Sequence, residues 1–546
     1  AAGAPPARAR AAERDRRPRV ARTGRQDAPA PGSSLAPSRE TARALVTLRA
    51  GSAVRSARLR LLPPIALLAL GAALATACGR GTSAPAPAAL PAGEIWVSHL
   101  SRDLAPFWLK PEALGSPIGA FPSFRCDDGS LVQPDLPCGE LLIAGPWVTS
   151  QLGKEFTRMQ SRQTFFYGVA FHLTGEERYL ALAKAGVEHL RAHALDRAER
   201  SAVSWWKDGE PHPPVEARNS QDLAYANLGL AFYAYLTRDP AVLADALLLY
   251  DGIFARFDDP ALGMLRWAAG GVGGERARVE LVAQLDQVNA YALLLASVAP
   301  EPHRSRLRAD LARIARILID RFWSEELGLF RGTLHDPLDS GLGSRHTDFG
   351  HTIKALWMIE RTGALLGDAK LREWARERMP KVLARAFLPR EGCWASGLTR
   401  EGDLDAGVAW WISAELDQAA ATLALTDRRY TGYLAKTWRC WLERLVDHEK
   451  GEVWSFVDLD RPERRGAKQH LWKNGYHSAE HALVSYLAAQ EIHGKPATLH
   501  FAFAAMPPRE ELRPYFFSGE PSAVEERPIE GHPGLRRVDV AFRHLR

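Results

Sequence analysis

The strongest constraint on the fold is a helical pattern that recurs from residue 95 to residue 492. Segments rich in Ala, Leu, Arg and Glu carry apolar residues three and four positions apart, as in YLALAKAGVEHLRAHAL at 179–195. This spacing is typical of amphipathic helices. The pattern predicts twelve helices, at 95–108, 145–174, 177–193, 219–237, 240–256, 277–298, 303–323, 347–363, 368–387, 404–424, 427–446 and 473–491.

One helix in about 33 residues is the period of stacked antiparallel helix pairs. Such pairs form either an open solenoid or a closed toroid, the (α/α)6 barrel. The loops favour the toroid, because Trp recurs in them beside acids and His, and Trp faces stack on sugar rings while polar groups bind hydroxyls. These loops are 204–212, 265–267, 328–336, 391–397 and 451–456. We therefore predict an all-α (α/α)6 barrel over 95–495 with a saccharide cleft; Trp used simply as core is the alternative.

The last fifty residues have a different pattern. ATLHFAFAA and LRRVDVAFRHL alternate apolar and polar residues and predict two strands. The segment between them is predicted to be mostly loop. We expect 496–546 to form a short C-terminal extension, a small β appendage, and assign it no function.

The basic charge of the chain is confined to its first sixty residues, which hold fourteen Arg, no Lys and four acids. The remainder is mildly acidic, although the whole chain has a net charge of +6. Residues 1–54 lack aromatic residues and an apolar period, so we expect them to be disordered. A nucleic-acid arm is the alternative; because the body is acidic, we expect no nucleic-acid partner.

Residues 55–78, RSARLRLLPPIALLALGAALATAC, have the parts of a secretory signal. Arg residues precede an apolar run that is short for a membrane span, and small residues precede Cys78. The ending resembles a bacterial lipoprotein signal, in which the Cys is lipidated. We expect an exported protein that contacts the membrane only through an N-terminal lipid; cleavage near Ala77 to give a soluble periplasmic or secreted protein is the alternative.

More than fifty residues precede this signal, and the first Met is Met159. We expect translation to start at a codon not read as Met here, such as that of Val46 or Val54, so that the residues before it are spurious upstream translation. Residues 79–94 are expected to form a flexible Pro/Ala linker.

Four cysteines remain once Cys78 is set aside, and export permits disulfides. Cys126 and Cys138 flank a turn-rich loop and are the expected pair. The sequence has no CxxC motif, so we expect no cysteine zinc site.

Five segments between about 150 and 490 resemble, in order, conserved segments of the N-acylglucosamine 2-epimerase / cellobiose 2-epimerase superfamily, whose fold is the (α/α)6 barrel. They are SRQTFFYGVAFHLTGEERYL (161–180), DFGHTIKALWMI (348–359, like GHxxExxWLL), AWWISAEL (409–416, like WWxxxE), DHEKGEVW (447–454) and WKNGYHSAEHAL (472–483, like WKxxYHxxR).

The resemblance implies cofactor-free sugar chemistry on a mono- or oligosaccharide. One His removes the C2 proton to give an enediolate, and a second His returns a proton to the other face of C2 or to C1. It places His351 and His477 as acid and base, and Arg162 at the oxyanion. Its implied substrate-binding residues are Trp410, Trp411, Glu415, Trp472, Tyr291, Asn289 and Lys354.

The supporting residues depart from the superfamily pattern. Lys354 stands where GHxxE has Glu, and a cation there lowers a His pKa. In the mid-chain NxHxxE segment Asn289 remains, while Tyr291 and Leu294 replace His and Glu. The late Arg becomes His481 or is absent. The chain is therefore an isomerase of a divergent subfamily or a saccharide-binding protein without turnover.

Lys354 has two further interpretations. A lysine on the outer face of its helix is the simpler expectation. A buried Schiff-base nucleophile with a lowered pKa is the alternative.

Two other enzyme classes compete. His477, Glu480 and His481 spell HxxEH, which on a helix can bind zinc; the all-α pattern and the WKxxY context argue against it. An (α/α)6-barrel glycoside hydrolase or lyase is the second class, since a hydrolase needs two facing carboxylates. The candidate carboxylates, which nothing in the sequence pairs, are Asp222, Asp286, Asp348, Asp405 and Glu452.

Overall fold

A computed structural model of the chain describes residues 90–270, 274–532 and 534–546. The predicted upstream segment 1–54, and the signal segment 55–78 with Cys78, lie outside these residues. The predicted linker 79–94 is described only from residue 90, and the first helix begins at Gly93.

The described part of the chain contains twelve long helices, as the periodicity predicts. They are α1 (93–108), α2 (Thr157–Thr174), α3 (177–194), α4 (Ser220–Thr237), α5 (Pro240–Phe257), α6 (281–298), α7 (303–322), α8 (Phe349–Leu366), α9 (Ala369–Ala386), α10 (Trp410–Ala424), α11 (431–445) and α12 (Tyr476–Ile492). Shorter helices lie at Pro111–Leu114, Gly139–Ala144 and Pro146–Thr149.

The main error in the predicted boundaries is at α2. The prediction started it at residue 145, whereas the structure has a short turn of helix and then a break before Thr157. Gly153 lies in this break with φ of 79°, a left-handed conformation that glycine adopts without strain. The helix then ends at Gly175, also left-handed, as a C-terminal cap.

The helices alternate between two environments. Every residue of α4 is buried, and the other even-numbered helices are nearly as enclosed. The odd-numbered helices bury one stripe only, as α7 does with Leu307, Leu311 and Ile314. Consecutive even-numbered helices pack against each other, and α12 packs against α2, where the rings of Phe165 and Tyr476 lie 5.0 Å apart. The even-numbered helices are therefore the inner ones.

Short antiparallel strands join many of the helices near the ends at which the inner helices begin. One three-stranded sheet joins Glu155–Phe156, Trp205–Lys207 and Glu210–His212. The two-stranded pairs are Leu195–Asp196 with Ser201–Ala202, Asp258–Asp259 with Met264–Leu265, Trp323–Ser324 with Leu329–Phe330, Phe387–Leu388 with Cys393–Trp394, Gly397–Leu398 with Leu404–Asp405, and Val408–Ala409 with Phe456–Val457.

The C-terminal extension is a three-stranded antiparallel sheet of β1 (Ala497–Phe503), β2 (Glu520–Pro528) and β3 (Arg536–Arg543), in the order β1-β3-β2. The two predicted strands are confirmed as β1 and β3. Strand β2 lies in the segment predicted as loop, and this prediction was wrong. It is a largely exposed edge strand, so its sequence, EPSAVEERP, has no buried face and no apolar alternation.

The described chain contains two disulfides. Cys126 pairs with Cys138, which confirms the predicted pair, and Cys393 pairs with Cys440 to join a hairpin to α11. Among the described residues, the stretch Leu281–Val298 is long and apolar enough to span a membrane, but 94% of it is buried inside the protein, as in a core helix.

Candidate active site

All six inner helices contribute polar side chains to one buried cluster. Its centre is Lys354 on α8, whose Nζ lies 3.4 Å from Glu415 Oε1 on α10 and 3.9 Å from Asp286 Oδ1 on α6. Tyr225 on α4 donates its hydroxyl to Asp286 Oδ1 at 3.0 Å. Helix α12 adds His477 and Glu480, and α2 adds Arg162. Residues far apart in the sequence thus meet among the inner helices.

His351 stands at the first turn of α8, held by the residue that caps the helix. Asp348 Oδ1 accepts the His351 backbone N–H at 2.8 Å, and Asp348 Oδ2 lies 2.7 Å from His351 Nδ1. A carboxylate at Nδ1 fixes the tautomer and leaves Nε2 to exchange a proton. The imidazole is 16% exposed, so a substrate can reach it.

Trp411 joins the two predicted catalytic histidines. Its ring centroid lies 4.7 Å from that of His351 and 6.1 Å from that of His477. Trp410 lies 6.1 Å from His477, edge to face, but is itself buried. The structure therefore brings His351, His477 and Trp411 together, with Trp411 only partly buried and able to face a ligand.

His477 is a buried imidazole beside a carboxyl group. Its Nδ1 lies 3.3 Å from Glu415 Oε1. Burial holds the pKa of His477 well below its ordinary value, and the nearby Lys354 and Arg162 cations add to this effect. The imidazole is consequently neutral near pH 7, the form that accepts a proton.

The outer-face prediction for Lys354 was wrong. The side chain is buried and points toward the carboxylates of two neighbouring inner helices. A Schiff-base nucleophile is also unsupported. Although burial favours the neutral amine, the surrounding Tyr225, Glu415, Tyr476 and Asp286 outweigh it and raise the Lys354 pKa well above its ordinary value. Lys354 is a permanent buried cation.

Glu415 and Glu480 form a close carboxyl pair. Atoms of Glu415, Glu480 and His477 lie within 4.8 Å of one another. Burial raises the pKa of Glu415 to about 8, against the opposing effect of Lys354, and burial also raises the pKa of Glu480. Two adjacent buried carboxylates repel each other, so the pair retains one proton at neutral pH.

Arg162 and Trp472 form one wall beside the cluster. Arg162 Nη1 donates to the Trp472 carbonyl oxygen at 2.8 Å, and the guanidinium lies over the Tyr225 ring at 3.9 Å. Its buried Nε has no hydrogen-bond partner among the described residues. Arg158, which our sequence analysis missed, lies one turn earlier in α2; its guanidinium stacks over Trp472 at 4.0 Å and pairs with Asp222 at 2.7 Å.

Asn289 and Tyr291 lie on α6 but have different surroundings. With its amide oxygen facing Lys354, Asn289 accepts from Nζ at 3.2 Å and donates to Asp286 Oδ1 at 3.1 Å. Tyr291 is fully buried, donates to Gln287 at 2.8 Å, and has its ring 6.3 Å from Tyr250 on outer helix α5. The structure brings Asn289 into the cluster and leaves Tyr291 outside it.

The acids considered for a hydrolase have separate partners. Asp222 binds Arg158, Asp348 binds His351, and Asp286 accepts from Tyr225 and Gln221. Glu452 is buried and accepts from Lys473 and Ser478, both at 2.7 Å. Asp405 accepts from the Gly407 backbone. The five carboxylates form no facing pair with each other in the described chain.

The HxxEH segment does not bring its two histidines to one site. His481 Nε2 lies 2.9 Å from Asp417 Oδ2, and its ring packs on Trp441 at 4.1 Å, toward the outer helices. His477 instead faces Trp411 and Glu415. The i, i+4 zinc arrangement is therefore absent from this helix.

We compared the chain with known proteins. No family model matches it. The cellobiose 2-epimerase of Ruminococcus albus is 23% identical over 334 residues, which is 59% of this chain and 84% of the relative. The cellobiose 2-epimerase of Bacteroides fragilis is 25% identical over 340 residues, with the same coverage. These relatives support membership of the N-acylglucosamine 2-epimerase / cellobiose 2-epimerase superfamily, at the low identity that the altered motifs predict.

Solved structures share the fold of the helical body. The cellobiose 2-epimerase of Bacillus thermoamylovorans B4167 matches with a TM-score of 0.61 at 16% identity, over 72% of this chain and 98% of that one. A D-mannose isomerase matches with a TM-score of 0.59 at 15% identity, over 75% and 99%. Both structures are matched along nearly their whole length, while a quarter or more of this chain lies outside the match.

Two departures from the superfamily pattern meet in the buried cluster. Lys354 replaces the Glu of GHxxE. In WKxxYHxxR the Arg falls three residues after the His, at Glu480 here, so the earlier placement of this position at His481 was wrong. Burial raises the pKa of Glu480 and the Lys354 cation opposes that rise. The cation and the carboxyl group of the superfamily pattern are thus both present, but each stands at the other's position.

Proposed function

We propose that this protein is a sugar 2-epimerase or aldose–ketose isomerase that uses His351 and His477 as its acid and base. One observation carries the proposal. Both imidazoles lie beside the Trp411 ring, and each has Nδ1 next to a carboxyl group, Asp348 at 2.7 Å and Glu415 at 3.3 Å. Neither Nε2 has a hydrogen-bond partner among the described residues, which leaves two proton-transfer groups free for a substrate.

The chemistry follows from these groups. The open-chain aldose lies against Trp411, and the first imidazole takes the C2 proton while the electron pair moves to the carbonyl oxygen, forming an enediolate. The Arg162 guanidinium stabilises the developing oxyanion. The second imidazole then delivers a proton to the opposite face of C2, giving the epimer. Delivery to C1, with the O2 hydroxyl proton passing to O1, gives the ketose. No redox step occurs.

The architecture that supports this site is, we infer, a closed (α/α)6 barrel. The contact of α12 with α2 supports closure, because it joins the last inner helix to the first. Arg158 on α2 donates to the Leu471 carbonyl at 3.0 Å, just before α12, and so crosses the same seam. A closed ring surrounds a substrate with residues from all six inner helices.

The substrate class is a reducing sugar that can open at C1. The relatives named cellobiose 2-epimerase support a disaccharide with a free reducing end, and the structural neighbour named D-mannose isomerase supports a monosaccharide. Trp472, partly buried and stacked on Arg158, supplies a second aromatic face beside Trp411. We propose cellobiose and mannose as the first substrates to test.

We propose export as the setting of this activity. The signal pattern at 55–78 and the two disulfides support it, since disulfides persist in oxidising compartments. A lipid on Cys78, with 79–94 as a tether, would leave the barrel facing external saccharides. Mass spectrometry of the mature protein tests this: a diacylated N-terminal Cys supports the anchor, and an unmodified start after Ala77 supports the soluble form.

The activity is tested by incubating the purified protein in D₂O with a panel of reducing mono- and disaccharides and following C2 by NMR. We expect loss of the C2 proton signal together with a new 2-epimer or ketose. Release of monosaccharide from cellobiose without C2 exchange would instead indicate a hydrolase. Saturable binding by calorimetry without exchange would indicate a binding protein.

A further inference from the structure

The C-terminal extension enters the helical body from the end at which the inner helices finish. Between β1 and β2, the consecutive residues Tyr515, Phe516 and Phe517 are buried. The Phe516 ring lies 5.9 Å from Trp357, and Arg361 lies over Phe517 at 4.7 Å, both on α8. This segment therefore closes the end of the inner helices opposite to His351.

Tyr515 is the residue of this segment that reaches the polar cluster. Its hydroxyl donates to Glu480 Oε1 at 2.6 Å. Its backbone N–H donates to Tyr235 Oη at 3.0 Å, and Tyr235 in turn donates to the Arg513 carbonyl at 2.6 Å. Tyr515 has a φ of 59°, a left-handed conformation that is uncommon for a side chain of this size. The backbone thus accepts an unfavourable conformation where the phenol meets Glu480.

Glu480 belongs to the carboxyl pair that touches His477. Its second oxygen, Oε2, is buried without a hydrogen-bond partner in the described chain, and so are Glu415 Oε1 and His477 Nδ1. One side-chain oxygen or nitrogen atom from each of these three residues lies within 4.8 Å of the other two. The titratable and charged groups around the pair, from every helix packed against it and from the extension, are Arg162, Tyr225, Asp286, Lys354, Tyr476, His477 and Tyr515.

We propose that Tyr515 is a positioning residue for the acid–base site: by donating to Glu480 it holds the negative charge of the pair there and leaves the shared proton on Glu415, beside His477. The inference rests on the proposed function for its catalytic consequence. The proton only changes its location within the pair, so the net charge of the site is unchanged. A neutral Glu415 leaves His477 without an adjacent anion that would stabilise its protonated form.

Removing the phenol hydroxyl tests this inference. In Tyr515→Phe, Glu480 loses the phenol donor, the proton moves to Glu480, and Glu415 carries the charge next to His477. We expect the acidic limb of the kcat/KM profile for C2 exchange to move up by about one pH unit, the effect of one hydrogen bond to an ionised group. Carbon-13 NMR of labelled Glu side chains should show that the proton has moved from Glu415 to Glu480. This measurement does not require turnover.

Tyr486→Phe is the matched control, because Tyr486 also joins the extension to the helices, through the Thr498 backbone, and makes no hydrogen bond to the Glu415–Glu480 pair among the described residues. We expect Tyr486→Phe to lower thermal stability. It should leave unchanged both the pH profile of kcat/KM and the carbon-13 NMR signals of the Glu side chains. The inference would be overturned if Tyr515→Phe and wild type had the same pH profile of kcat/KM and the same carboxyl NMR signals. If wild type exchanges no sugar while the carboxyl signals still shift in Tyr515→Phe, the proposed function fails and the charge-holding role of Tyr515 stands.

A second variant covers the case in which Tyr515→Phe does not fold. Glu480→Gln keeps an oxygen that accepts the Tyr515 hydroxyl and removes the charge that raises the pKa of Glu415. We expect the Glu415 carboxyl signal to titrate at a lower pH than in wild type. An unchanged Glu415 midpoint would show that the pair does not share a proton, which contradicts the inference.

Discussion

Lys354 Nζ lies 3.4 Å from Glu415 Oε1, and both side chains are enclosed by the inner helices. A buried cation balanced by nearby carboxylates contributes little net stability, since each ion loses its hydration. Removing the cation, however, leaves the negative charge of the cluster uncompensated. The cluster is therefore expected to be sensitive to removal of Lys354, whose Nζ also lies 3.9 Å from Asp286 Oδ1.

Lys354→Met should destabilise the protein by about 3–5 kcal/mol, because the buried carboxyl cluster loses the cation that balances its negative charge. Urea unfolding followed by circular dichroism measures this. Lys370→Met, at an exposed position of α9, is the control and should stay within about 0.5 kcal/mol of wild type. A Lys354→Met protein as stable as the control would show that the cation is dispensable.

The pH dependence of stability follows from the raised pKa of Glu415. Its pKa is 4.5 in the unfolded chain and about 8 in the folded protein, so the folded state binds the proton more tightly. This contribution to stability is complete below pH 4.5 and is lost as pH rises to about 8. Glu415→Gln cannot titrate, so its stability should change less between pH 5 and pH 8 than that of wild type. If the curves of stability against pH ran parallel for wild type and Glu415→Gln, they would contradict the raised pKa of Glu415.

Asp348 makes two contacts, one that caps α8 and one with the His351 imidazole, and one substitution separates them. Asn caps helices as well as Asp does, so Asp348→Asn should keep the melting temperature nearly unchanged. It should lower kcat for C2 exchange roughly 100-fold, because an amide no longer stabilises the His351 imidazolium. Asp368→Asn changes the cap of α9, away from the site, and should affect neither quantity. A fall in stability without a fall in kcat would show that Asp348 acts only as a helix cap.

Metal should not be needed for activity. His481 is bound to Asp417 rather than turned toward His477, and Lys354 supplies the positive charge beside Glu415. We expect less than stoichiometric zinc by elemental analysis, no loss of exchange after chelation, and near-normal kcat in His481→Gln. Activity that disappears with EDTA and returns with Zn²⁺ would revive the metallopeptidase-like interpretation.

The parts of the fold that repeat locally could be predicted from the sequence. Each helix has its own apolar period, so all twelve were found, and strands β1 and β3 have alternating faces. Strand β2 has no buried face and gives no such signal. The break at Gly153 interrupts a run whose composition is otherwise helical, so the start of α2 was predicted too early.

The sequence predicted those candidate site residues that lie within a single motif. His351, His477, Arg162 and Trp411 each lie in a recognisable segment, and the structure brings them together. The orientation of Lys354 could not be predicted, because its partners lie on other helices more than sixty residues away. Glu480 was considered only within HxxEH. Tyr515 lies in a loop without a motif, and only tertiary packing brings it to the cluster.

The central claim is that two histidines act from opposite faces of C2, and deuterium exchange in the single variants tests it most directly. Each variant, His351→Ala and His477→Ala, should abolish epimerisation while still exchanging the C2 proton of one epimer with retention. The surviving epimer should differ between the two variants, and the double variant should exchange neither. Exchange of both epimers in either single variant, or any exchange in the double variant, would contradict the mechanism.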